Sequence, residues 1–261
     1  MKKKNTQALF EDKVVLITGG TDGLGYGAAE MFIKEGAHVI VFARNSLKLN
    51  RAKNLLGNKL YTIQGDVSNM RDIDALYEEI GKNFKKINII LANAGTNILA
   101  KTIDVTEKNY DIIFNTNTKG AFFTVQKALS LLQEGSSVIF VSSTAAHSSE
   151  TGDCVYAGSK AALRAFAMTF SAEYAKKQIR FNVISPTMTR TPLLESLGNE
   201  DFLNHWAERH PPGRLAKISD FVNAVKFLAS GDSEFIYGQD IVVDGGKCNN
   251  NFRFIETTGL D

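Results

Sequence analysis

The sequence has little proline, cysteine or tryptophan. Its 261 residues hold four prolines, two cysteines and one tryptophan. Cys154 and Cys248 are too few for the disulfide framework of a small secreted fold, and they lack metal-ligand spacing. They read as free thiols of a cytoplasmic protein that binds no metal. An excess charge of one sign is missing too. Lys+Arg total 30 against 28 Asp+Glu, a net +2, which argues against the concentrated basic face of a nucleic-acid binder. No window carries the roughly 18 uninterrupted apolar residues of a membrane span. Met1-Lys2-Lys3-Lys4 has the charge of a signal-peptide start. Asn5-Thr6-Gln7 and Glu11-Asp12 leave no apolar core after it, so residues 1–11 are expected to be a solvated tail. What remains is a soluble globular composition, 44% hydrophobic and 22% charged, of a length that suits one large α/β domain.

The few prolines are unevenly placed. Pro186, Pro192, Pro211 and Pro212 all lie between 186 and 212, with Trp206 among them. Proline breaks helix interiors and sheet ladders, so the proline-free stretch before it suits uninterrupted helices and buried strands. The window itself marks a segment built differently.

Short Val- and Ile-rich runs recur at 14–18, 38–42, 59–63, 87–91, 137–141, 180–184 and 241–243. Continuous apolar runs of this length suit strands buried on both faces of a parallel sheet. Amphipathic patterns between them predict helices over 24–35, 46–56, 70–83, 106–132, 155–177 and 218–229. This alternation predicts one Rossmann-type domain, a doubly wound parallel sheet flanked by helices.

After the first strand comes Thr18-Gly19-Gly20-Thr21-Asp22-Gly23-Leu24-Gly25 and then a helix. Glycine lets the backbone approach a pyrophosphate, and the helix N-terminus offers free N–H groups and a positive dipole. The second strand ends Ala43-Arg44. An acidic residue there would bind ribose hydroxyls, whereas Arg44 offers a partner to a 2′-phosphate. Asp22 places a negative charge nearby. Asp66, after the third strand, could accept an adenine amino hydrogen bond or cap a helix beginning near Ser68.

Tyr156-Ala157-Gly158-Ser159-Lys160 opens a helical stretch. Residues i and i+4 share a helix face. A cation near a phenol favours the phenolate and tunes it for proton transfer. Ser143, at the carboxyl end of the fifth strand, sits where open α/β sheets bind ligands; Ser142 is the neighbouring candidate.

These landmarks together resemble the short-chain dehydrogenase/reductase family, from about Asp12 to Gly246. T-G-x-x-x-G-x-G matches 18–25, N-A-G matches Asn93-Ala94-Gly95, and N-x-x-G matches Asn117-Thr118-Lys119-Gly120. Ser143 and Tyr156-x-x-x-Lys160 match the catalytic motif, and G-Q-x-I-x-V-D-G-G matches 238–246. The resemblance implies that Tyr156 is the general acid/base and that Lys160 holds the nicotinamide ribose and lowers the Tyr156 pKa. It implies that Ser143 orients the carbonyl and that Asn117, rather than Asn115, supports a water-linked proton relay. It implies a dinucleotide held by Gly19, Thr21, Asp22, Gly23, Leu24, Gly25, Arg44, Asp66, Val67, Asn93, Ala94, Gly95, Tyr156, Lys160, Pro186, Thr189 and Thr191. Asn93 could equally bridge neighbouring strand ends.

The expected activity is hydride transfer between nicotinamide and a carbonyl or secondary alcohol, with NADP(H) preferred and NAD(H) possible. The alternatives are a 3-oxoacyl-thioester reductase acting on acyl carrier protein and, from another class, a non-catalytic dinucleotide sensor. Pro186-Thr187 departs from the family's Pro-Gly. Gln133-Glu134-Gly135, expected before the fifth strand, lacks the basic charge that would meet an acidic carrier. The family's substrate-binding loop maps to 186–213, an apolar lid with Leu193, Leu194, Leu197, Phe202 and Trp206 that also carries Glu195, Glu200, Asp201, His205 and His210. A homo-oligomer, dimer or tetramer, is expected through the stretches 106–132 and 155–177. The extension 247–261, with Phe252 and Phe254, is expected either to pack on a neighbour or to be free.

Overall fold

The computed structural model describes residues 8–148, 150–196 and 198–248. Phe252, Phe254 and Leu197 lie outside the described residues. Seven strands form one parallel sheet in the order β3-β2-β1-β4-β5-β6-β7. They are β1 (Val14–Thr18), β2 (His38–Ala43), β3 (Leu60–Gln64), β4 (Ile87–Ala92), β5 (Leu132–Val141), β6 (Arg180–Pro186) and β7 (Asp240–Val243). The helices are α1 (Gly23–Lys34), α2 (Ser46–Leu56), α3 (Met70–Asn83), α4 (Glu107–Phe114), α5 (Ala121–Ala128) and α6 (Cys154–Tyr174). They continue with α7 (Pro192–Glu195), α8 (Glu200–Ala207) and α9 (Ile218–Ala229). The doubly wound parallel sheet expected from the alternating pattern is the observed fold.

Alternation along each strand explains the two cores. Leu16, Ile40, Ile90 and Phe140 face α3, α5 and α6, where they meet Leu76, Val125 and Leu163. Ile17, Val41, Leu91 and Ile139 face the other way, onto Ala29 and Phe32 of α1 and Phe221 and Val225 of α9. Both faces are covered, so the strands read as continuous apolar runs. β2 and β4 flank β1 on opposite sides. The crevice at that reversal of strand order is where open α/β sheets bind ligands.

Four expectations needed correction. Residues 8–11 are expected within a solvated tail, but Phe10 is buried against Phe32 of α1 and its N–H donates to the Glu35 carbonyl. The single helix expected over 106–132 is broken by a π-turn at Asn115–Gly120, and α5 ends at Ala128. The fifth strand starts at Leu132, so Gln133-Glu134-Gly135 lie inside it. Those residues sit where the strand outruns the helical cover, and Gly135 adopts φ +81° beside a register shift between Ile87 and Ile89. An apolar-run criterion misses such a polar strand end. Finally, Asp66 does not cap α3. Asn69 does, accepting from the Arg71 N–H, while Asp66 accepts from the Ser68 N–H and Oγ in the turn before it.

Candidate active site

The glycine turn is built by close packing. Asn93 Nδ2 donates to the Thr18 and Gly19 carbonyls at 3.0 and 3.1 Å, and Thr18 Oγ1 accepts from the Asn93 and Ala94 N–H groups. Asn93 therefore bridges the ends of β1 and β4. A Cβ on Gly25 would lie 2.4 Å from the Gly19 carbonyl oxygen and 2.6 Å from Asn93 Nδ2. Gly19 (φ +70°) and Gly23 (φ +50°) occupy the left-handed region. The turn thus delivers the α1 N-terminus to the crevice, with Asp22 as N-cap on the Gly23 N–H.

Beside the turn is a pocket of about 450 Å³ lined by Gly19, Thr21, Ala43, Arg44, Asp66, Val67, Ala94 and Gly95. Asn45 and Lys48 complete its rim. Arg44 Nη1 lies 3.5 Å from Asp66 Oδ2 and is well exposed. The Asp22 carboxylate, read from sequence as a bare negative charge, is paired. Lys48 Nζ donates to it at 2.9 Å, and this bond, opposed by burial, holds its pKa below the ordinary value. Sequence reasoning missed Lys48. Its partner is 26 residues away, and no local spacing signals the pair.

A second cleft, of about 710 Å³, joins the same turn to the catalytic candidates. Asp22, Gly23, Leu24, Asn93, Gly95, Ser143, Tyr156, Lys160, Pro186, Thr189 and Thr191 all line it. Ser143 and Tyr156 line the cleft close enough for the serine hydroxyl to act on the phenol. Ser142 is spent elsewhere: it is buried and donates to the Lys160 carbonyl. Burial raises the Tyr156 phenol above its usual range, the Ser143 hydrogen bond pulls it back, and the Asp153 carboxylate pushes it up.

Lys160 is 4% exposed, and burial brings its ammonium down to about 8. Its Nζ donates to the Val141 carbonyl at 2.7 Å and lies 5.9 Å from the Tyr156 ring centre. Among protein groups alone, Lys160 does not bring the Tyr156 pKa down, because it is aimed at the end of β5 and not at the phenol.

Asn117 is fully buried in the π-turn. Its Oδ1 accepts from the Thr96 N–H, and its Nδ2 donates to the Thr96 carbonyl and to Ser159 Oγ. Both of its amide donors are therefore engaged, locking the stretch after β4 against α6. Asn115 instead lines an outer pocket with Arg44 and Lys119. A Cβ on Gly95 would meet Lys160 Nζ at 3.1 Å and Asn117 Oδ1 at 3.4 Å, so these groups converge on one point.

The proline window covers the cleft. Pro186 ends β6, and α7 and α8 follow. Leu194, Leu203 and Leu215 form a small core with Met188, Phe202 and Trp206. Arg190 holds the two helices together through Glu195 and Glu200. Thr187, at the position where the family pattern has glycine, is buried and hydrogen-bonds His210 at 2.8 Å. His210 Nδ1 faces the Trp206 carbonyl, so it donates there and the other ring nitrogen accepts from Thr187. Burial keeps the imidazole below its ordinary pKa, consistent with that neutral form. The departure from Pro-Gly thus ties the lid to the sheet.

Comparisons with known proteins agree with this arrangement. A family model described as enoyl-(acyl carrier protein) reductase matches residues 19–247. The chain is 35% identical over 236 residues to an oxidoreductase of Sarocladium schorii, covering 90% of this chain and 95% of that one. It is 32% identical over 256 residues to a tetrahydroxynaphthalene reductase of Pestalotiopsis fici, covering 91% and 92%. A short-chain dehydrogenase/reductase from Brucella melitensis, titled glucose/ribitol dehydrogenase, superposes with a TM-score of 0.88 at 26% identity, over 93% of this chain and 99% of that one. A glycine turn at the switch point, a Tyr/Lys pair one helical turn apart and relatives that match nearly end to end have one common explanation: this chain is an oxidoreductase of the short-chain dehydrogenase/reductase family, whose members work with NAD(P)(H).

Proposed function

We propose that this protein is an NADP(H)-preferring reductase of a flat, partly apolar ketone, or an oxidant of the corresponding secondary alcohol. The observation that carries the reading is the convergence of Ser143, Tyr156 and Lys160 on one cleft that runs into the glycine turn. The residues present fit a dinucleotide. The pocket of about 450 Å³ between Arg44, Asp66 and Val67 would take the adenosine end, and the α1 N-terminus the pyrophosphate. Gly23, Asn93, Pro186, Thr189 and Thr191 would border the nicotinamide end. Arg44 and Lys48 flank the ribose position with positive charge, and no carboxylate follows Ala43 to repel a 2′-phosphate. When bound, the nicotinamide supplies or takes a hydride at the substrate carbon.

The chain's own groups handle the oxygen. In reduction, the Tyr156 hydroxyl gives its proton to the carbonyl oxygen while Ser143 donates a hydrogen bond to the same atom, stabilising the negative charge that develops there. Burial holds Tyr156 in its protonated, proton-donating form but makes it a weaker acid, and the Ser143 hydrogen bond works against that rise. Lys160, whose ammonium is fixed by the Val141 carbonyl, would hold the nicotinamide ribose with a remaining donor. Asn117 is a positioning residue. A proton relay at this point would run past its main chain, because its amide is already engaged.

The substrate class rests on two supports. Leu99, Met188 and Trp206 give the cleft an apolar wall. Relatives named for hydroxynaphthalene reduction make bicyclic aromatic ketones the first compounds to test. A carrier-protein substrate is less well supported, because acidic and basic groups line the cleft in balance. In assembly, the exposed Tyr110 and Ile112 of α4 and Met168 of α6 offer an apolar surface for a second copy. The free thiols Cys154 and Cys248 suit a cytoplasmic location.

Tyr156→Phe tests the reading. Turnover should fall by about 10²–10⁴-fold, the range of general acid catalysis, while NADPH titration by fluorescence gives an unchanged affinity. Wild-type turnover in that variant would sink the assignment.

A further inference from the structure

We propose that Lys247 and Glu150 are specificity-determining residues, a donor–acceptor pair in the substrate cleft that reads a hydroxyl group on the substrate remote from its reacting carbonyl. The inference rests on the reductase reading above and goes beyond it to a pair of side chains and the chemistry they select.

Both residues line the same cleft as Ser143 and Tyr156, and so does Trp206. The turn after β7 brings Lys247 there: Asp244 accepts from the Gly246 and Cys248 N–H groups at 2.8 and 2.6 Å. The Lys247 side chain is only 13% exposed, and its Nζ donates to Glu150 Oε1 at 3.1 Å. The same Nζ lies 5.5 Å from the centre of the Trp206 ring. The other Glu150 oxygen faces Arg209 at 3.7 Å, and the Arg209 guanidinium packs on Trp206 at 4.6 Å. The pair is therefore held in place by three separate segments.

An ammonium has three donors and a carboxylate about four acceptor sites. One Lys247 donor is used by Glu150 and one is directed toward the indole, which leaves a donor for a ligand. Glu150 keeps acceptor capacity beside it. An apolar substrate edge would leave the remaining Lys247 donor and the spare Glu150 acceptor unmatched on desolvation, which is costly. A hydroxyl answers both, accepting from Lys247 and donating to Glu150. Charged groups are disfavoured from either side. The ionisable residues lining the cleft, tyrosine aside, are Asp22, Glu150 and Asp153 against Lys48, Lys160 and Lys247. An anion near Lys247 meets Glu150, and a cation near Glu150 meets Lys247 and Arg209. A neutral hydroxyl is the group that fits.

The test compares unsubstituted tetralone with a set of ring-hydroxylated tetralones, reduced with NADPH by the wild type and by Lys247→Met, Glu150→Gln and Arg209→Gln. The wild type should prefer at least one hydroxylated ketone by about 10- to 100-fold in kcat/KM, the scale of leaving one partly buried polar group unpaired. Lys247→Met should collapse that ratio towards one through KM, and Glu150→Gln should lower it. Arg209→Gln gives up the Trp206 stacking and the 3.7 Å contact to the second Glu150 oxygen but leaves the Lys247–Glu150 hydrogen bond, so it should keep most of the ratio. Equal slowing of both ketone types by the Lys247 and Glu150 variants would show a lid fastening only and overturn the proposal. So would a wild type indifferent to ring hydroxyls. Reduction of neither ketone type, with NADPH binding intact, would instead strike at the reductase reading itself.

Discussion

Lys160 shows how a single side chain can work against the fold that carries it. Its ammonium is buried, donates a hydrogen bond to the Val141 carbonyl and is brought from an ordinary 10.5 down to about 8. A lysine whose pKa is lowered on folding penalises the native state fully below the lowered value. The penalty fades as pH rises from about 8 to 10.5, because the unfolded chain then binds more protons than the folded one. The shift corresponds to roughly 3 kcal/mol, part of which the lost hydrogen bond offsets in a variant. Lys160→Met should therefore abolish turnover yet melt several degrees higher at pH 7 without added nucleotide. The difference should shrink toward pH 10. Calorimetry across that range checks it, and a variant less stable at pH 7 would show that the ammonium is better compensated than its burial implies. Tyr156, Lys160 and Ser143 were legible in the sequence because their spacing is local or follows a strand end. The direction of the Tyr156 shift was not, because desolvation depends on what packs around the ring.

The element that departs most from regular geometry is the π-turn at Asn115–Gly120. The amphipathic pattern runs through it unbroken, so periodicity predicts one helix there. The break arises from a long-range demand, since Asn117 reaches across to Thr96 and Ser159. Gly120 closes the turn against Val67, a residue of the adenosine-side pocket. A Cβ there would fall 2.8 Å from the Val67 carbonyl oxygen and 2.9 Å from its Cγ2. Gly120→Ala should thus cost about 1–3 kcal/mol, the scale of overpacking, and weaken nucleotide binding as Val67 is displaced. A urea melt and a nucleotide titration report the two effects separately. An unchanged midpoint and affinity would mean that the Val67 loop yields freely. The lid was only half legible: proline, leucine and tryptophan content marked 186–212 as distinct. The Thr187–His210 bond spans 23 residues, and the Arg190 clamp, though closer in sequence, depends on how α7 and α8 turn back on each other.

At the scale of the molecule, nucleotide binding and folding are linked, because only the folded chain assembles the crevice. NADPH at about 100 times its Kd adds roughly 2.7 kcal/mol, which should raise Tm by about 5–10 °C for a chain of this size. NADH at the same concentration should raise it less. Arg44→Ala removes the exposed guanidinium at the ribose position, and Lys48→Ala leaves the Asp22 carboxylate unpaired. Either change should narrow the gap between the two nucleotides. Equal shifts in the wild type would remove the case for 2′-phosphate recognition. The sequence by itself determined the sheet, the glycine turn at the end of β1 and the placing of Ser143, Tyr156 and Lys160 in one cleft, because each is written within a few consecutive residues or in a repeating hydrophobic period. Only the tertiary structure decided that Lys48 neutralises Asp22, that Thr187 ties down the lid, and that Glu150 meets Lys247 from 97 residues away. Those contacts depend on where chain segments cross in space, and no local pattern of residue types encodes that.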